Sequence, residues 1–159
     1  MKKYNFLLLW LLFTACSTSQ EVEPTLGELF LQIDGQNFTF PYKGNFGDID
    51  ANGYSSNARF LSILRENSDA VNYQSLQLRI TNFELDQIQT PVVISENVRL
   101  TFRLNRSSFE SDKNAVQIEL KSKEKDILDA SVSGTLTDTQ TQRVYKIQKC
   151  NFRIQIKRF

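Results

Sequence analysis

From Glu28 onward the hydrophobic residues of this chain recur at every second position, and few patterns constrain a fold more tightly. Leu29, Leu31 and Ile33 alternate with Phe30, Gln32 and Asp34. Leu76, Leu78 and Ile80 alternate with Gln77, Arg79 and Thr81, and Val98, Leu100, Phe102 and Leu104 with Arg99, Thr101 and Arg103. Val116, Ile118 and Leu120 repeat the pattern, as do Val132, Gly134 and Leu136 after a turn at Lys123-Glu124-Lys125-Asp126. Successive side chains of a strand point to opposite faces, so a period of two means strands with one dry and one wet side. Such one-sided strands belong to antiparallel sheets. Asp34-Gly35 offers a tight turn with Phe38 and Phe40 on the return strand, which predicts a hairpin across 28–42. Phe60 to Leu64 is short and almost wholly apolar, and the last two strands are expected at Val144–Ile147 and Phe152–Ile156. Glu84 to Gln89 has room for one helical turn. The expected fold is all-β: a single antiparallel β-sandwich of seven to nine strands, with a lipocalin-like β-barrel as the alternative. The core separates the two, because a sandwich closes on interdigitated side chains whereas a carrier keeps a cavity.

The N-terminal segment follows a different rule. Lys2 and Lys3 precede the apolar run Phe6 to Phe13, and Thr14-Ala15 lead into Cys16. The run is too short to span a bilayer as a helix, which needs about 20 residues, but it suits a secretory signal with a small-residue cleavage site. Phe13-Thr14-Ala15-Cys16 resembles the lipobox of bacterial lipoproteins, with Phe13 where leucine is common. The resemblance implies acylation of Cys16 and anchoring in the bacterial outer membrane, facing the periplasm or the surface. The bland alternative is an ordinary signal peptide beside an incidental cysteine. The organisation expected is a signal peptide at 1–15, a polar tether at 16–26 containing Pro24, and one folded domain at 27–159.

Short words at both ends of the body extend that resemblance. Leu31-Gln32-Ile33-Asp34-Gly35-Gln36-Asn37-Phe38 is similar to the opening of many small lipoproteins of Bacteroidota. Val132-Ser133-Gly134-Thr135-Leu136 and Ile147-Gln148-Lys149-Cys150-Asn151-Phe152 resemble their closing strands, with Cys150 where glycine is usual. The resemblance implies an immunoglobulin-like sandwich and brings no catalytic residues with it.

Composition narrows the function. The chain contains no histidine, which removes the commonest general base and transition-metal ligand. Ser-His-Asp, Cys-His and zinc-hydrolase schemes are therefore excluded, and the expectation is a non-enzymatic protein; a glycosidase-like carboxylate pair survives only in principle. Without Lys2 and Lys3 the 19 basic residues become 17, against 18 acidic ones. So neutral a chain argues against nucleic acid as a partner. The charges are uneven: residues 16–112 hold 7 basic and 13 acidic side chains, and 113–159 hold 10 and 5. Alternating Lys and Arg on strands reads as a solvated face before it reads as a binding patch. Cys150 is in phase with Phe152, Ile154 and Ile156, so its thiol is expected to point inward.

One loop carries candidate ligands. Asp48, Asp50 and Asn52, followed by Gly53, match the first half of a calcium loop. The second half fails, because Arg59 stands where a bidentate glutamate belongs. Calcium is thus the one candidate cofactor, weighed against a polar inter-strand loop. Tyr42, Phe46 and Tyr54 around it offer an aromatic platform for a glycan or peptide, weighed against simple core packing. The function expected is a lipid-anchored envelope protein that binds a glycan, peptide or partner protein, with a carrier of a small apolar ligand as the alternative.

Overall fold

A computed structural model of the chain describes residues 25–40, 49–67 and 73–159. Twelve strands fill them: β1 Leu29–Ile33, β2 Gln36–Phe40, β3 Ile49–Ser55, β4 Phe60–Asn67, β5 Gln74–Thr81, β6 Val92–Ile94, β7 Val98–Leu104, β8 Ser107–Glu110, β9 Val116–Glu124, β10 Ile127–Asp138, β11 Val144–Gln155 and β12 Lys157–Arg158. A single 3-10 turn, Leu85–Gln87, lies where one turn of helix is expected. The class is all-β, but the count of twelve corrects the seven to nine read from alternation. β6, β8 and β12 are two to four residues long, too short to display a period. β3, Ile-Asp-Ala-Asn-Gly-Tyr-Ser, has no hydrophobic alternation and carries residues that favour loops.

The strands form one hydrogen-bonded sheet in the order β12-β3-β4-β5-β7-β8-β10-β11-β1-β2, with β9 on β10 and β6 on β9. All pairs are antiparallel except β12 on β3, which is parallel and departs from the purely antiparallel expectation. The sheet is curled. β2 and β7 are far apart in its order, yet the rings of Phe38 and Phe102 lie 4.7 Å apart and Phe40 meets Phe102 edge-on at 6.4 Å. Leu29, Leu31, Ile63, Leu78, Leu100 and Ile154 are among the side chains sealed in the core between.

Local chemistry explains the register. Asp34 and Gly35 both adopt positive φ, 51° and 74°, and pair Ile33 with Gln36 across a two-residue turn. Near the C-terminus the expected two strands are one. β11 runs from Val144 to Gln155, and Gln148 is an extra residue where Gln32 pairs with Lys149 but Ile33 with Ile147. That bulge shifts the inward phase from Ile147 to Cys150, which from sequence looks like a strand break. The displaced Gln148 accepts a hydrogen bond from the Gly35 N–H at 2.7 Å. β10 changes partners along its length: Ile127 to Gly134 pair with β9, Thr137 and Asp138 with β8.

Candidate functional site

The outer face of β3, β4, β5 and β7 carries the surface best suited to hold a ligand. In β4 the inward residues are Leu61, Ile63 and Arg65, so Phe60, Ser62, Leu64 and Glu66 face outward. Phe60 and Leu64 are half-buried there, apolar side chains on the wet side of the sheet. Across the ladder Leu64 pairs with Gln77, and Ser62 with Arg79. One strand further, Gln77 stands opposite Thr101, Arg79 opposite Arg99 and Ser75 opposite Arg103. Strand alternation thus delivers three arginines, an amide and three hydroxyls to one face, Ser75 among them buried.

Three shallow grooves meet on this face. One of about 310 Å³ contains Leu64, Tyr73, Gln77, Arg79, Arg99 and Arg103, with Glu66 and Glu110 also lining it. A second, about 350 Å³, shares Phe60, Arg79 and Arg99 and reaches Asp112 and Lys113. The third, about 370 Å³, is the apolar one, between Gly53, Phe60, Leu64 and Phe159.

Arg79 is held in place. The Gln77 amide, oriented with its oxygen toward Arg79, accepts from Nε at 3.1 Å and from Nη2 at 3.0 Å. The guanidinium also lies 6.0 Å from the centre of the Phe60 ring. Among the described residues no carboxylate comes within ion-pair distance of Arg79, Arg99 or Arg103, whereas Arg59 is matched by Glu84 at 2.8 Å and Arg158 by Asp126 and Asp86. Those two acids hold Arg158 above its ordinary pKa, Asp126 contributing most through its hydrogen bond.

The residues expected to bind are placed differently. Cys16, Tyr42, Phe46 and Asp48 lie outside the described residues. Asp50 and Asn52 lie on β3 and not in a loop, with Asp50 opposite Arg65 in the β3–β4 register. Asn52 is buried; its Nδ2 donates to the Gln155 carbonyl at 3.1 Å and its Oδ1 accepts from Arg65, itself 2% exposed. Arg65 also donates to the Gly27 carbonyl at 3.3 Å, which ties β4 to the segment before β1. Tyr54 is 3% exposed, edge-on to Phe83 at 6.2 Å, with Arg158 5.8 Å from its ring centre. Its hydroxyl accepts from the Leu85 N–H at 3.2 Å, so the ring packs in the core and offers no open face to a ligand. Arg59 adopts a positive φ of 48° in the turn after β3. Cys150 is buried and free, and burial pushes its thiol up to about 12, as its inward phase predicts. Among the described residues no group of three or more Cys, Asp and Glu side chains is placed to hold a metal ion.

The arginine groove escaped the sequence reading. Each arginine registers only as a wet-face residue until the β5–β7 register sets Arg79 against Arg99. A usable signal existed in Phe60 to Leu64, whose almost wholly apolar run obliges β4 to show hydrophobic side chains on both faces. Searches against family models, curated proteins and solved structures return no match to this chain.

Proposed function

We propose that this chain is a non-enzymatic, lipid-anchored protein of the bacterial outer membrane that binds a glycan, peptide or partner protein on the outer face of its sheet. The observation that carries the binding role is the amphipathic floor of that face: half-buried Phe60 and Leu64 run beside Arg79 and Arg99, which stand opposite one another with no carboxylate among the described residues within ion-pair distance. Exposed apolar side chains rimmed by polar groups characterise surfaces that meet a ligand. The absence of histidine supports a binding role over catalysis. The anchor rests on Cys16 and the lipobox-like residues before it; one acyl chain binds a membrane marginally and more than one holds it stably. The curled sheet works as a sandwich in this reading. Phe38, Phe40 and Phe102 fill the space between β2 and β7, where a lipocalin-like carrier would open a chamber for its ligand.

Two measurements test the reading. In a bacterial host the full chain should incorporate labelled fatty acid and sediment with membranes, and Cys16→Ser should do neither; normal processing of that variant refutes the anchor. On an array of glycans and peptides the protein should retain one class of ligand and lose it on Phe60→Ala or Leu64→Ala. Binding to no class, or binding indifferent to both substitutions, refutes the role of this face.

A further inference from the structure

We infer that Arg79, Arg99 and Arg103 form a site for an acidic polysaccharide, a glycan whose repeating carboxylate or sulfate groups the guanidinium groups pair with. The inference rests on the binding role proposed above and names its ligand. Four observations lead to it.

The first is electrostatic. Arg79 and Arg99 are directly opposite in the antiparallel β5–β7 ladder, an arrangement in which like charges destabilise the sheet. Glu66 and Glu110 line the same groove, yet neither ion-pairs with an arginine there. An anion between the two arginines removes their repulsion, and the cost of the pair in the empty sheet becomes affinity for that anion.

The second is geometric preparation. Gln77 occupies two of the five N–H donors of Arg79, and the remaining three have no acceptor among the described residues. A guanidinium fixed in this way presents a planar fork, which matches the paired oxygens of carboxylate or sulfate. Arg103 is four residues along β7 from Arg99, roughly 13 Å at the usual rise per residue. Two cationic centres at that spacing fit a polymer with repeated anionic groups better than one small anion.

The third is the apolar floor. Phe60, Leu64 and Tyr73 border the arginines, and aromatic faces supply apolar contact for the C–H faces of a sugar ring. Thr101, between Arg99 and Arg103 on β7, offers a partner for a hydroxyl group.

The fourth decides between glycan and peptide. An extended peptide is normally captured by adding a strand to an open sheet edge, where main-chain groups are free. This groove crosses β4, β5 and β7, and β5 is paired on both sides, with β4 and with β7. The central backbone has no edge to lend, so recognition falls to side chains.

The test uses the full-length lipidated protein in detergent, with four immobilised polymers: polygalacturonate for carboxylate, dextran sulfate for sulfate, unmodified dextran, and polyglutamate. Polygalacturonate, dextran sulfate or both should bind, the tighter arm identifying the anion, and dextran should not. Binding should weaken as salt screens the charges. Arg79→Gln with Arg99→Gln should weaken it about tenfold or more, the usual loss for charge-assisted hydrogen bonds, while Arg143→Gln, elsewhere on the surface, should leave it unchanged. The double variant loses the contacts of Arg79 to Gln77 and Phe60 but also a like-charge pair, all on an exposed face. Its melting temperature should therefore stay within a few degrees of the parent's, and a melting curve at the binding temperature separates lost binding from unfolding. Acidic glycan binding that survives the double substitution overturns the inference, as does equal binding of polyglutamate, which would make the ligand an acidic peptide. If only neutral glycans bind and Phe60→Ala abolishes that binding, this inference fails while the binding role stands. If nothing binds, both fail.

Discussion

Replacing Gly134 with alanine should cost this protein a large share of its stability. Gly134 is the last residue of β10 to pair with β9, through Val116, before the strand passes to β8 at Thr137. Its φ is +136°, a conformation that L side chains rarely adopt. A Cβ there collides with the Ala115 carbonyl oxygen and stands 2.8 Å from the Val116 Cα. These obstacles are backbone atoms, held by the Thr135 N–H donating to the Ala115 carbonyl at 3.0 Å. Nothing can rotate aside. Backbone strain of this kind costs about 1–3 kcal/mol, and loss of the Thr135 hydrogen bond about 1 kcal/mol more. Displacing Val116, which is 1% exposed, forfeits roughly another 1 kcal/mol of apolar burial. The sum, about 3–5 kcal/mol, is a large share of the roughly 5–15 kcal/mol that holds a domain folded. At about 2–4 °C per kcal/mol the melting temperature should fall by about 6–20 °C, followed by circular dichroism, and a urea titration should show a lower midpoint with unchanged slope. Gly53→Ala is the control. There the obstructing atoms belong to the ring of Phe159, 77% exposed and free to swing away, so the cost should stay within about 1 kcal/mol. If Gly134→Ala melts within about 2 °C of the parent, or Gly53→Ala falls as far, the account of the partner switch in β10 is wrong.

Two titrating groups supply further checks. Burial raises the Cys150 thiol from 9.0 to about 12, so the folded state keeps a proton that the unfolded chain releases. This contribution to stability is therefore intact below pH 9 and declines as pH rises toward 12, by about 1.4 kcal/mol per unit; urea titrations of Cys150→Ala should show a shallower alkaline decline, and equal slopes refute the burial argument. The N–H groups of Gln140, at 2.8 Å, and Thr141, at 3.2 Å, hold the Asp138 carboxyl below its ordinary 3.8. The stabilisation is present above 3.8 and lost as pH falls through the lowered value, so the gap in melting temperature between the parent and Asp138→Asn should narrow in acid; a constant gap refutes it.

The parts of the fold legible in the sequence are those where one physical rule acts alone. Alternation by itself places β1, β5, β7 and β9, because each has one buried and one wet face over five residues or more. Asp34-Gly35 announces its hairpin because few other residue pairs accept two positive φ values. Where two rules compete, the reading fails. At Gln148 the bulge restarts the hydrophobic phase inside one strand, and a phase restart is indistinguishable from a loop in one dimension. In β3 the Asp, Asn and Gly that signal a turn are drawn into the sheet, where Asn52 satisfies Arg65 and the Gln155 carbonyl. β12 is two residues long and forms because β3 has a free edge to pair with, a fact about topology and not about Lys157 or Arg158.

The candidate site was hidden for a related reason, and its one visible trace has general use. A wet-face arginine in a strand is unremarkable, and Arg79 and Arg99 acquire meaning only when the register sets them opposite one another across β5 and β7. Register between strands that are not consecutive depends on everything packed around them, so no local pattern reports it. The trace lies in β4. Beside strands such as β5 and β7, which alternate, Phe60-Leu61-Ser62-Ile63-Leu64 cannot bury all of its apolar residues on one side. Leu61 and Ile63 take the core, and Phe60 and Leu64 are left on the face beside the arginines. A place where local pattern and burial disagree is a place to look for function. A strand too hydrophobic for its sheet therefore marks the face to test first, before any register is known.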